Sequence, residues 1–381
     1  VLNQFPVLSE TFIQSFVGHL KLHRVVLYAK LNNQEYHIVG PLIKPYINVL
    51  PKIGHIGTFV LITIRIFLYP KRFFRLFKKG ISLKQLIADA NIWTTSALDI
   101  LHFPFANNSF GREYYAEVLG AKMTISFRGS DLNVYPLYHN KSYAQIWPYV
   151  HKVHCNSVEL AEKLKEHQIP ENIPIVIIPP ALRLDLQGVD PVVMNKDRIG
   201  TPENPLNIVT LGRLHWIKDY PLALRIMVVL KQKGLTLNYH ILGEGNEREQ
   251  IIFLIHELGL TEQVKLYGRA NTIDINQCFN KGHVYLQTSL AEGFSNACME
   301  AQAFGLPCVV PAISGMSACI EDGKTGIIVL NRTEEAFAEA IMNLVQHIQI
   351  FDANYSSMRV KAQFSLERQR QRWLSFWEGL F

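Results

Sequence analysis

Two glutamates that could bind a polyhydroxylated ligand lie in the segment EGFSNACME, which runs from Glu292 to Glu300. In a continuous helix their side chains would point about 80° apart and lie two turns from each other. Gly293, Ser295 and Asn296 favour another arrangement, in which Glu292 lies in a loop and a helix begins near Ser295 or Asn296. The free N–H groups of that helix start could bind a phosphate. The alternative is a capped helix with ordinary surface glutamates.

Cations and glycines form two further candidate groups. In GRLHWIKDY, Arg213 and Lys218 follow an apolar run and could neutralise a diphosphate leaving group, which gains charge as its bond to a sugar breaks. The alternative is a helix-start turn with solvated charges. In LGEGNERE, Gly243 and Gly245 on either side of Glu244 would let the backbone approach a ligand closely, although many strand–helix turns contain such glycines.

These motifs follow short apolar runs that alternate with helical patterns. The alternation predicts an α/β fold with a doubly wound parallel sheet, which binds ligands at the carboxyl ends of its strands. The three motifs would then lie along one sheet edge. The predicted helices are Pro221–Lys233 and Asn246–Leu258, and the predicted strands are Leu206–Leu211, Leu237–Leu242, Gln263–Tyr267, His283–Gln287, Pro307–Val310 and Thr325–Leu330.

The first half of the sequence has a similar pattern and predicts a second Rossmann-like domain. Segment 188–204 is rich in Pro, Gly, Asp and Asn and predicts a linker. We therefore expect domains at 1–190 and 205–360, followed by a C-terminal helix at 361–381 that crosses back onto the first domain. The strand candidates of the first half are Val25–Ala29, Asp99–Phe103, Lys122–Phe127 and Val153–Cys155.

The composition excludes several classes of protein. With 48% hydrophobic and 18% charged residues, the 381-residue chain can build a core and is not typical of disorder. The five cysteines lack metal-binding spacing and are typical of a reduced, cytoplasmic protein. We recognise no signal peptide, and the apolar run from Ile56 to Tyr69 is too short and too interrupted to span a membrane.

Positive charge is concentrated near the start of the sequence. Residues 1–90 contain twelve Lys or Arg and three Asp or Glu, whereas the whole chain has a net charge of +6. Within this region Arg65–Lys79 reads RIFLYPKRFFRLFKK. Such a segment can lie on an anionic membrane, where each cation contributes about 1 kcal/mol. The alternative is a surface helix whose aromatic residues pack on the sheet. No recognised nucleic-acid-binding motif accompanies the charge, so nucleic acid is not expected as a partner.

Taken together, the motifs resemble glycosyltransferase family 4, which contains retaining enzymes of the GT-B fold with two Rossmann-like domains facing a cleft. The resemblance runs from about Leu206 to Leu330, through GRLHWIKDY, HILGEGNERE, EGFSNACMEA and AISGMSACIEDGKTGIIV. FPVLSETFI near the start is similar to the opening motif of a branch that builds exopolysaccharide, colanic-acid-like or O-antigen chains. The resemblance implies transfer of a sugar from a nucleotide-sugar, with a UDP-sugar favoured over a GDP-sugar, to a saccharide or lipid-linked saccharide acceptor.

The resemblance also implies roles for single residues. Arg213 and Lys218 would bind the donor diphosphate, Glu292 would contact hydroxyls of the donor sugar, and Glu300 would bind the ribose hydroxyls. Arg213, Lys218 and Glu292 would be the catalytic residues, with the leaving phosphate helping to deprotonate the acceptor. No metal or other cofactor is expected, and the sequence contains no Asp-x-Asp motif. The remaining donor-binding residues would be Gly212, Gly243, Glu244, Gly293, Phe294, Ser295 and Asn296.

The acceptor side departs from the family pattern, because Arg128 in the segment FRGSD stands where many relatives have His. Arg128 could bind an acceptor phosphate and Asp131 could orient a hydroxyl; the alternative for both is an ion pair at a strand end. His102 matches a family position near the cleft, and its alternative is a hydrogen-bonded core histidine. The other acceptor-side candidates, which replace the usual paired glycines of the first loop, are Ser9, Glu10 and Thr11.

Two rival functions fit the same architecture. A sugar-nucleotide 2-epimerase would need ionisable groups beside the donor sugar, and no matching motif set is found. A non-catalytic nucleotide-sugar-binding subunit disagrees with the presence of Arg213, Lys218, Glu292 and Glu300 together. We expect a cytoplasmic enzyme, and residues 65–79 offer a means of peripheral contact with the inner face of the plasma membrane.

Overall fold

The computed structural model describes residues 63–94, 98–139, 143–186, 188–191 and 196–380. The predicted strand Val25–Ala29 and the candidates Ser9, Glu10 and Thr11 lie outside these residues. The described part forms two compact units. Unit 1 contains its residues up to Ile178 and those from Arg370 onwards, and unit 2 runs from Pro179 to Gln369. The division precedes segment 188–204, whose described residues belong to unit 2.

Unit 1 is built on a four-stranded parallel sheet in the order β1-β2-β3-β4. Three of its strands were predicted, whereas β4 is a three-residue strand between prolines and left no periodic signal. The strands are β1 Ile100–Phe103, β2 Lys122–Phe127, β3 Val150–Cys155 and β4 Ile175–Ile177. The helices are α1 Pro70–Lys78, α2 Leu83–Ala88, α3 Ala90–Trp93, α4 Tyr115–Leu119, α5 Gly129–Asn133, α6 Tyr135–Tyr138 and α7 Val158–Lys165.

Unit 2 is built on a six-stranded parallel sheet in the order β10-β9-β8-β5-β6-β7. The strands are β5 Leu206–Leu211, β6 Leu237–Leu242, β7 Val264–Gly268, β8 Val284–Leu286, β9 Cys308–Pro311 and β10 Gly326–Val329. Each overlaps a predicted strand, so the sheet is confirmed. The strand order reverses between the neighbours β5 and β8, and an open parallel sheet binds its ligands at such a switch point.

Helices cover both faces of the unit 2 sheet, as the near-continuous apolar strands require. Leu206 and Ile208 of β5 belong to one core cluster, and Val209 of the same strand belongs to the other. The two predicted helices correspond to α8 and α9. The helices are α8 Tyr220–Gln232, α9 Arg248–Glu257, α10 Thr272–Lys281, α11 Asn296–Ala303, α12 Glu334–Gln346, α13 Ala353–Gln363 and α14 Leu366–Glu378.

The last turns of α14 belong to unit 1. Trp373 and Phe376 are buried in a cluster with Ile178. Lys152 of β3 is also buried, and its Nζ donates a hydrogen bond to the carbonyl oxygen of Phe376 at 2.7 Å. The C-terminal residues are therefore held by both apolar packing and a buried cation.

Candidate active site

The loops that follow the two strands at the switch point of unit 2 carry two charged residues that form an ion pair. The loop after β5 leads from Gly212 into a 3₁₀ helix, Trp216–Lys218, and the loop after β8 leads to Glu292. Lys218 Nζ forms an ion pair with Glu292 Oε1. Their side chains are 21% and 14% exposed, so both charges are largely shielded from solvent. The fold thus joins two motifs that are far apart in the sequence.

Gln287, the first residue after β8, fixes the position of the Glu292 carboxylate. Its Nε2 donates to Glu292 Oε1 at 2.9 Å, and the hydroxyl of Ser289 donates to the same oxygen at 3.0 Å. The Oε1 atom of Gln287 accepts a hydrogen bond from the hydroxyl of Ser295 at 2.6 Å. Ser314 supports the loop from the other side, since its Oγ donates to the carbonyl oxygen of Glu292 at 3.0 Å.

Helix α11 begins where the sequence predicted. Ser295 is its N-cap, and the hydroxyl accepts from the N–H of Cys298 at 3.2 Å. Phe294 turns its ring into the core against Phe364, with ring centroids 5.3 Å apart, so it offers only backbone to a ligand. Asn296 is the first residue of the helix, and its Oδ1 is buried without a hydrogen-bond partner among the described residues.

Glu300 lies one turn further along α11 and is only 8% exposed. Burial raises the pKa of its carboxyl to about 7, and the nearby Arg183 opposes this effect. The Nη1 of Arg183 lies 4.0 Å from Glu300 Oε2. A carboxylate held in so dry a place needs hydrogen-bond donors to remain charged.

The glycines after β6 serve the packing of the loops. A Cβ on Gly243 would lie 1.8 Å from the carbonyl oxygen of Gly212, and a Cβ on Gly245 would lie 2.1 Å from that of Leu214. The close approach predicted for these glycines is thus made to the loop after β5. Glu244 between them forms an ion pair of 3.8 Å with Arg248 on α9.

Arg213 is exposed at the same edge of the sheet. Its guanidinium forms no ion pair with the carboxylates of the described residues. An exposed cation in the same loop as Lys218 is suited to meet an anionic ligand.

Arg332 contacts both of the loops that carry Lys218 and Glu292. Its Nη2 lies 2.6 Å from Asp219 Oδ2 and also donates to the carbonyl oxygen of Thr288. The hydroxyl of Thr288 donates to the carbonyl oxygens of Lys218 at 2.9 Å and Asp219 at 3.0 Å. Asp219 has a φ of +49°, a left-handed conformation that is uncommon outside glycine and that occurs next to functional residues.

Two acceptor-side candidates lie together after β2 in unit 1. The guanidinium of Arg128 donates to the carbonyl oxygen of Pro104 at 3.0 Å and to Asn156 Oδ1 at 3.3 Å. Asp131 is fully buried and accepts from the N–H of Arg128 at 2.9 Å and from that of Asn107 at 3.3 Å. Burial raises the pKa of Asp131 to about 7 despite these hydrogen bonds and the charge of Arg128.

His102, the third acceptor-side candidate described, lies on β1 with both ring nitrogens close to hydroxyls. Nδ1 lies 2.9 Å from Thr124 Oγ1 and Nε2 lies 3.1 Å from Ser126 Oγ. Ser126 in turn lies 2.8 Å from His154 Nδ1. Burial is the main cause that holds the pKa of His102 well below its usual value.

The comparison with known proteins agrees with the geometry of unit 2. The family described as "Glycosyl transferases group 1" matches residues 194–350, which include both switch-point strands and the loops after them. This chain carries a glycosyltransferase group 1 domain. Amylovoran biosynthesis glycosyltransferase AmsK of Erwinia amylovora is 25% identical over 90% of this chain and 89% of that protein. Putative colanic acid biosynthesis glycosyltransferase WcaL of Escherichia coli strain K12 is 28% identical, over 40% of this chain and 39% of that protein.

Solved structures show that the fold is GT-B, as expected. Anabaena Alr3699/HepE in complex with UDP and glucose superposes with a TM-score of 0.70 at 14% identity, covering 99% of this chain and 98% of that one. The pneumococcal O-GlcNAc transferase GtfA in complex with UDP and GlcNAc has a TM-score of 0.63 at 18% identity, covering 78% of this chain and 60% of that one.

Several polar residues of unit 2 were not identified from the sequence. Their side chains make contacts within and between the loops of the site, and no local spacing marks them. Ser314 and Asp219 lie within the recognised motifs AISGMSACIEDGKTGIIV and GRLHWIKDY, but neither was singled out. The unrecognised residues are Arg183, Asp219, Gln287, Thr288, Ser289 and Arg332.

Three general features of the described residues bear on the function. No helix among them is both long and apolar enough to cross a bilayer. Their His, Cys, Asp and Glu side chains form no group of three or more that could hold a metal ion. The cysteines of the described part are all free and buried.

Proposed function

We propose that this protein is a retaining glycosyltransferase of exopolysaccharide biosynthesis, which transfers a sugar from a UDP-sugar to a saccharide or lipid-linked saccharide. The observation that carries the proposal is the meeting of Lys218 and Glu292 at the switch point of the unit 2 sheet. The names of AmsK and WcaL support the biological context, and the UDP in the solved relatives supports the choice of donor.

In the proposed reaction, the residues of unit 2 bind the donor and stabilise its leaving group. Arg213 and Lys218 neutralise the diphosphate as its bond to the sugar breaks. Glu292 accepts hydrogen bonds from hydroxyls of the donor sugar, and Glu300 accepts them from the ribose. The first N–H groups of α11, beginning at Asn296, face a phosphate. Because two cations supply the positive charge, we expect chelators to leave the rate unchanged.

The donor is identified first by binding. A thermal-shift screen should compare UDP, GDP, their sugars and a no-ligand control. A nucleotide at about a hundredfold excess over its dissociation constant should stabilise the protein by about 2.7 kcal/mol. If only GDP compounds stabilise the protein, the donor is a GDP-sugar rather than a UDP-sugar. The proposed transfer reaction is unaffected by that result.

The reaction itself is tested by NMR with the preferred donor, with and without lipid-linked saccharide from a polysaccharide-producing bacterium. Transfer with the anomeric configuration of the donor preserved is the expected result. A product of inverted configuration would contradict retention. Conversion of the donor without any acceptor into a second sugar nucleotide would instead indicate an epimerase. Glu300→Ala should abolish the reaction, and an unchanged rate would refute the assignment of the donor site.

For the acceptor, we propose that Arg128 and Asp131 of unit 1 take part in binding. Arg128→Gln should raise the KM for a phosphate-bearing acceptor without changing the affinity for the nucleotide, since its positive charge is the group that would attract phosphate. The check is a pair of titrations, one of the acceptor at saturating donor and one of UDP alone. A change confined to the nucleotide titration would contradict this assignment.

Peripheral membrane contact through residues 65–79 is supported by the exposure of aromatic side chains. Phe67, Phe74 and Phe77 are 81%, 55% and 53% exposed, whereas Phe73 and Leu76 of the same segment pack into unit 1. One face of α1 is therefore anchored and the other is apolar and open. Exposed cations of the same helix are suited to anionic headgroups beside an inserted aromatic ring. They are Lys71, Arg75 and Lys78, and Arg75 also contacts Glu117 at 3.7 Å.

We expect wild-type protein to sediment with phosphatidylglycerol vesicles and not with phosphatidylcholine vesicles. Changing Lys71 and Lys78 to Gln should weaken binding about thirtyfold, at about 1 kcal/mol for each cation. Changing Phe74 and Phe77 to Ser should also weaken it, by removal of apolar area. The matched control changes Lys231 to Gln and Phe253 to Ser, which are exposed on unit 2. Equal binding by all variants would refute the contact.

Arg332 provides a prediction about positioning. Arg332→Met removes the tie between Asp219 and Thr288, so Lys218 and Glu292 lose their fixed separation. We expect kcat/KM to fall between about tenfold and about a hundredfold, since a shift of about 1 Å at a reacting centre has such an effect. Arg225→Met is the control, because Arg225 forms a half-exposed ion pair of 3.7 Å with Glu334 on the neighbouring helices. Equal kcat/KM values for Arg332→Met and Arg225→Met would show that Arg332 does not position Lys218 and Glu292.

A further inference from the structure

Arg183 is the charged residue closest to Glu300, and no motif pointed to it. It directly precedes a 3₁₀ helix, Leu184–Leu186. Its guanidinium holds Asp185 in a fork, with Nε to Oδ1 at 3.1 Å and Nη2 to Oδ2 at 2.6 Å. Nη2 also lies 3.5 Å from the hydroxyl of Thr272 at the start of α10. The orientation of the guanidinium is therefore fixed from two sides, which leaves Nη1 directed to Glu300.

The contact between Arg183 and Glu300 is electrostatic rather than a hydrogen bond. The distance from Nη1 to Oε2 is 4.0 Å, which is beyond hydrogen-bond range. Glu300 therefore keeps its acceptor positions for another partner while it lies beside a positive charge. An ionised carboxylate accepts from two hydroxyl groups with both of its oxygens, whereas a protonated carboxyl uses one oxygen as a donor and is the weaker acceptor. Vicinal ribose hydroxyls present such a pair of donors.

The two neighbours act on the ionisation of Glu300 in opposite directions. Burial raises its pKa to about 7, Arg183 lowers it and Asp185 raises it. Cations of α13, which packs against α11, are engaged elsewhere: Arg359 lies 3.0 Å from Glu321, and Lys361 donates to the carbonyl oxygen of Val189. Arg183 and Asp185 are thus the charged groups that face Glu300 in the described part of unit 2.

We propose that Arg183 is a positioning residue for nucleotide binding, which keeps Glu300 ionised so that it can accept both ribose hydroxyls, and that Asp185 tempers this effect. The proposal rests on the proposed function, in which Glu300 binds the ribose. It has a consequence for regulation: nucleotide affinity falls as the pH drops through neutrality, because the protonated carboxyl loses the two charge-assisted hydrogen bonds that the carboxylate accepts.

The first test follows the affinity for UDP by calorimetry from about pH 5.5 to about pH 8.5, the range around the pKa of Glu300. For wild type we expect affinity to decline below about pH 7. Arg183→Met should move the midpoint upward and Asp185→Asn should move it downward, with about tenfold in affinity for each pH unit below the midpoint. Arg183→Lys should restore the wild-type midpoint in part. Glu300→Gln is the control, because it removes this titration and leaves that of the terminal phosphate of UDP, whose pKa is about 6.

A second readout makes the test independent of nucleotide binding. The Glu300 carboxyl can be titrated directly by carbon NMR in the protein without ligand, with Glu300→Gln used for assignment. Opposite shifts of its midpoint in Arg183→Met and Asp185→Asn are expected. Unshifted midpoints, or a loss of UDP affinity that is the same at every pH, would overturn the proposal. If the carboxyl shifts as expected but no nucleotide binds to wild type, the proposed donor site fails and only the electrostatic coupling survives.

Discussion

Lys218→Met is expected to lower kcat for sugar transfer by about two to three orders of magnitude, equivalent to about 2.7–4 kcal/mol of transition-state stabilisation. Lys218 and Glu292 form an ion pair with both side chains at least three-quarters removed from solvent. In the proposed reaction Lys218 serves the diphosphate, whose charge grows as the sugar leaves. The variant loses that cation and also leaves Glu292 as an uncompensated negative charge beside the phosphates. The measurement is single-turnover transfer at saturating donor, which reports the chemical step.

The matched control is Lys231→Met on α8 of the same unit. Lys231 is exposed, and its Nζ donates only to the carbonyl oxygen of Gly259 at 3.2 Å. It should retain the wild-type rate. Thermal unfolding of both variants separates a catalytic loss from a folding defect. A Lys218→Met protein that folds normally and transfers sugar at the wild-type rate would refute the role of the ion pair in catalysis.

The strands of unit 2 could be predicted from the sequence because most of them are largely buried on both faces, the edge strand β7 being the least buried. A run such as Leu206–Leu211 then stands out from its polar flanks without any alternating pattern. The start of α11 was equally clear, since Ser295 is a strong N-cap residue and directly follows Gly293 and Phe294. Once the strands and the start of α11 are predicted, Glu292 and Lys218 can be placed at a single edge of the sheet.

The partners of these residues could not be predicted, because they depend on strand order and on the conformation of the loops rather than on spacing. Gln287 reads as the last residue of a strand, yet its side chain links Glu292 to Ser295. Arg332 reads as a surface cation before α12, yet it fixes the loop of Lys218. The Arg332 contact arises because β8 lies beside β5, an order that the sequence does not specify, whereas the Gln287 contacts form within one loop.

In unit 1, His102 could be identified from the sequence, but the chain of hydrogen bonds to which it belongs could not. His154 Nε2 lies 2.9 Å from the carbonyl oxygen of Ile178, which can only accept, so Nε2 carries a proton. A neutral His154 then accepts at Nδ1 from the hydroxyl of Ser126, which in turn accepts from Nε2 of His102. The hydroxyl of Thr124 completes the chain by donating to Nδ1 of His102. With both imidazoles neutral, each member of the chain has one defined hydrogen-bond direction.

Acidification should therefore remove the stability that the two histidines contribute to unit 1, whereas the raised pKa of Asp131 acts in the opposite direction. Burial, and secondarily the charge of Arg128, lowers the pKa of His154 to about 3, and burial lowers that of His102 well below its usual value. The unfolded chain binds protons on these histidines near pH 6.5 and the folded chain does not, so the stability they contribute is present above that pH and is lost as the pH falls. We expect the free energy of unfolding to decrease by up to about 1.4 kcal/mol per histidine for each pH unit below about 6.5.

The measurement is denaturant unfolding of wild type and His154→Gln across this pH range, followed by the fluorescence of Trp373, whose ring centroid lies 4.5 Å from that of His154. Glutamine can still donate to the carbonyl oxygen of Ile178 but does not titrate. The variant should thus be less stable than wild type at high pH and lose less stability on acidification. His256→Gln is the control, because the side chain of His256 is 82% exposed and its removal should leave the pH dependence unchanged. If the free energies of unfolding of wild type and His154→Gln change in parallel with pH, His154 titrates alike in the folded and unfolded protein. That result would contradict a buried His154 that is held neutral by its hydrogen bonds.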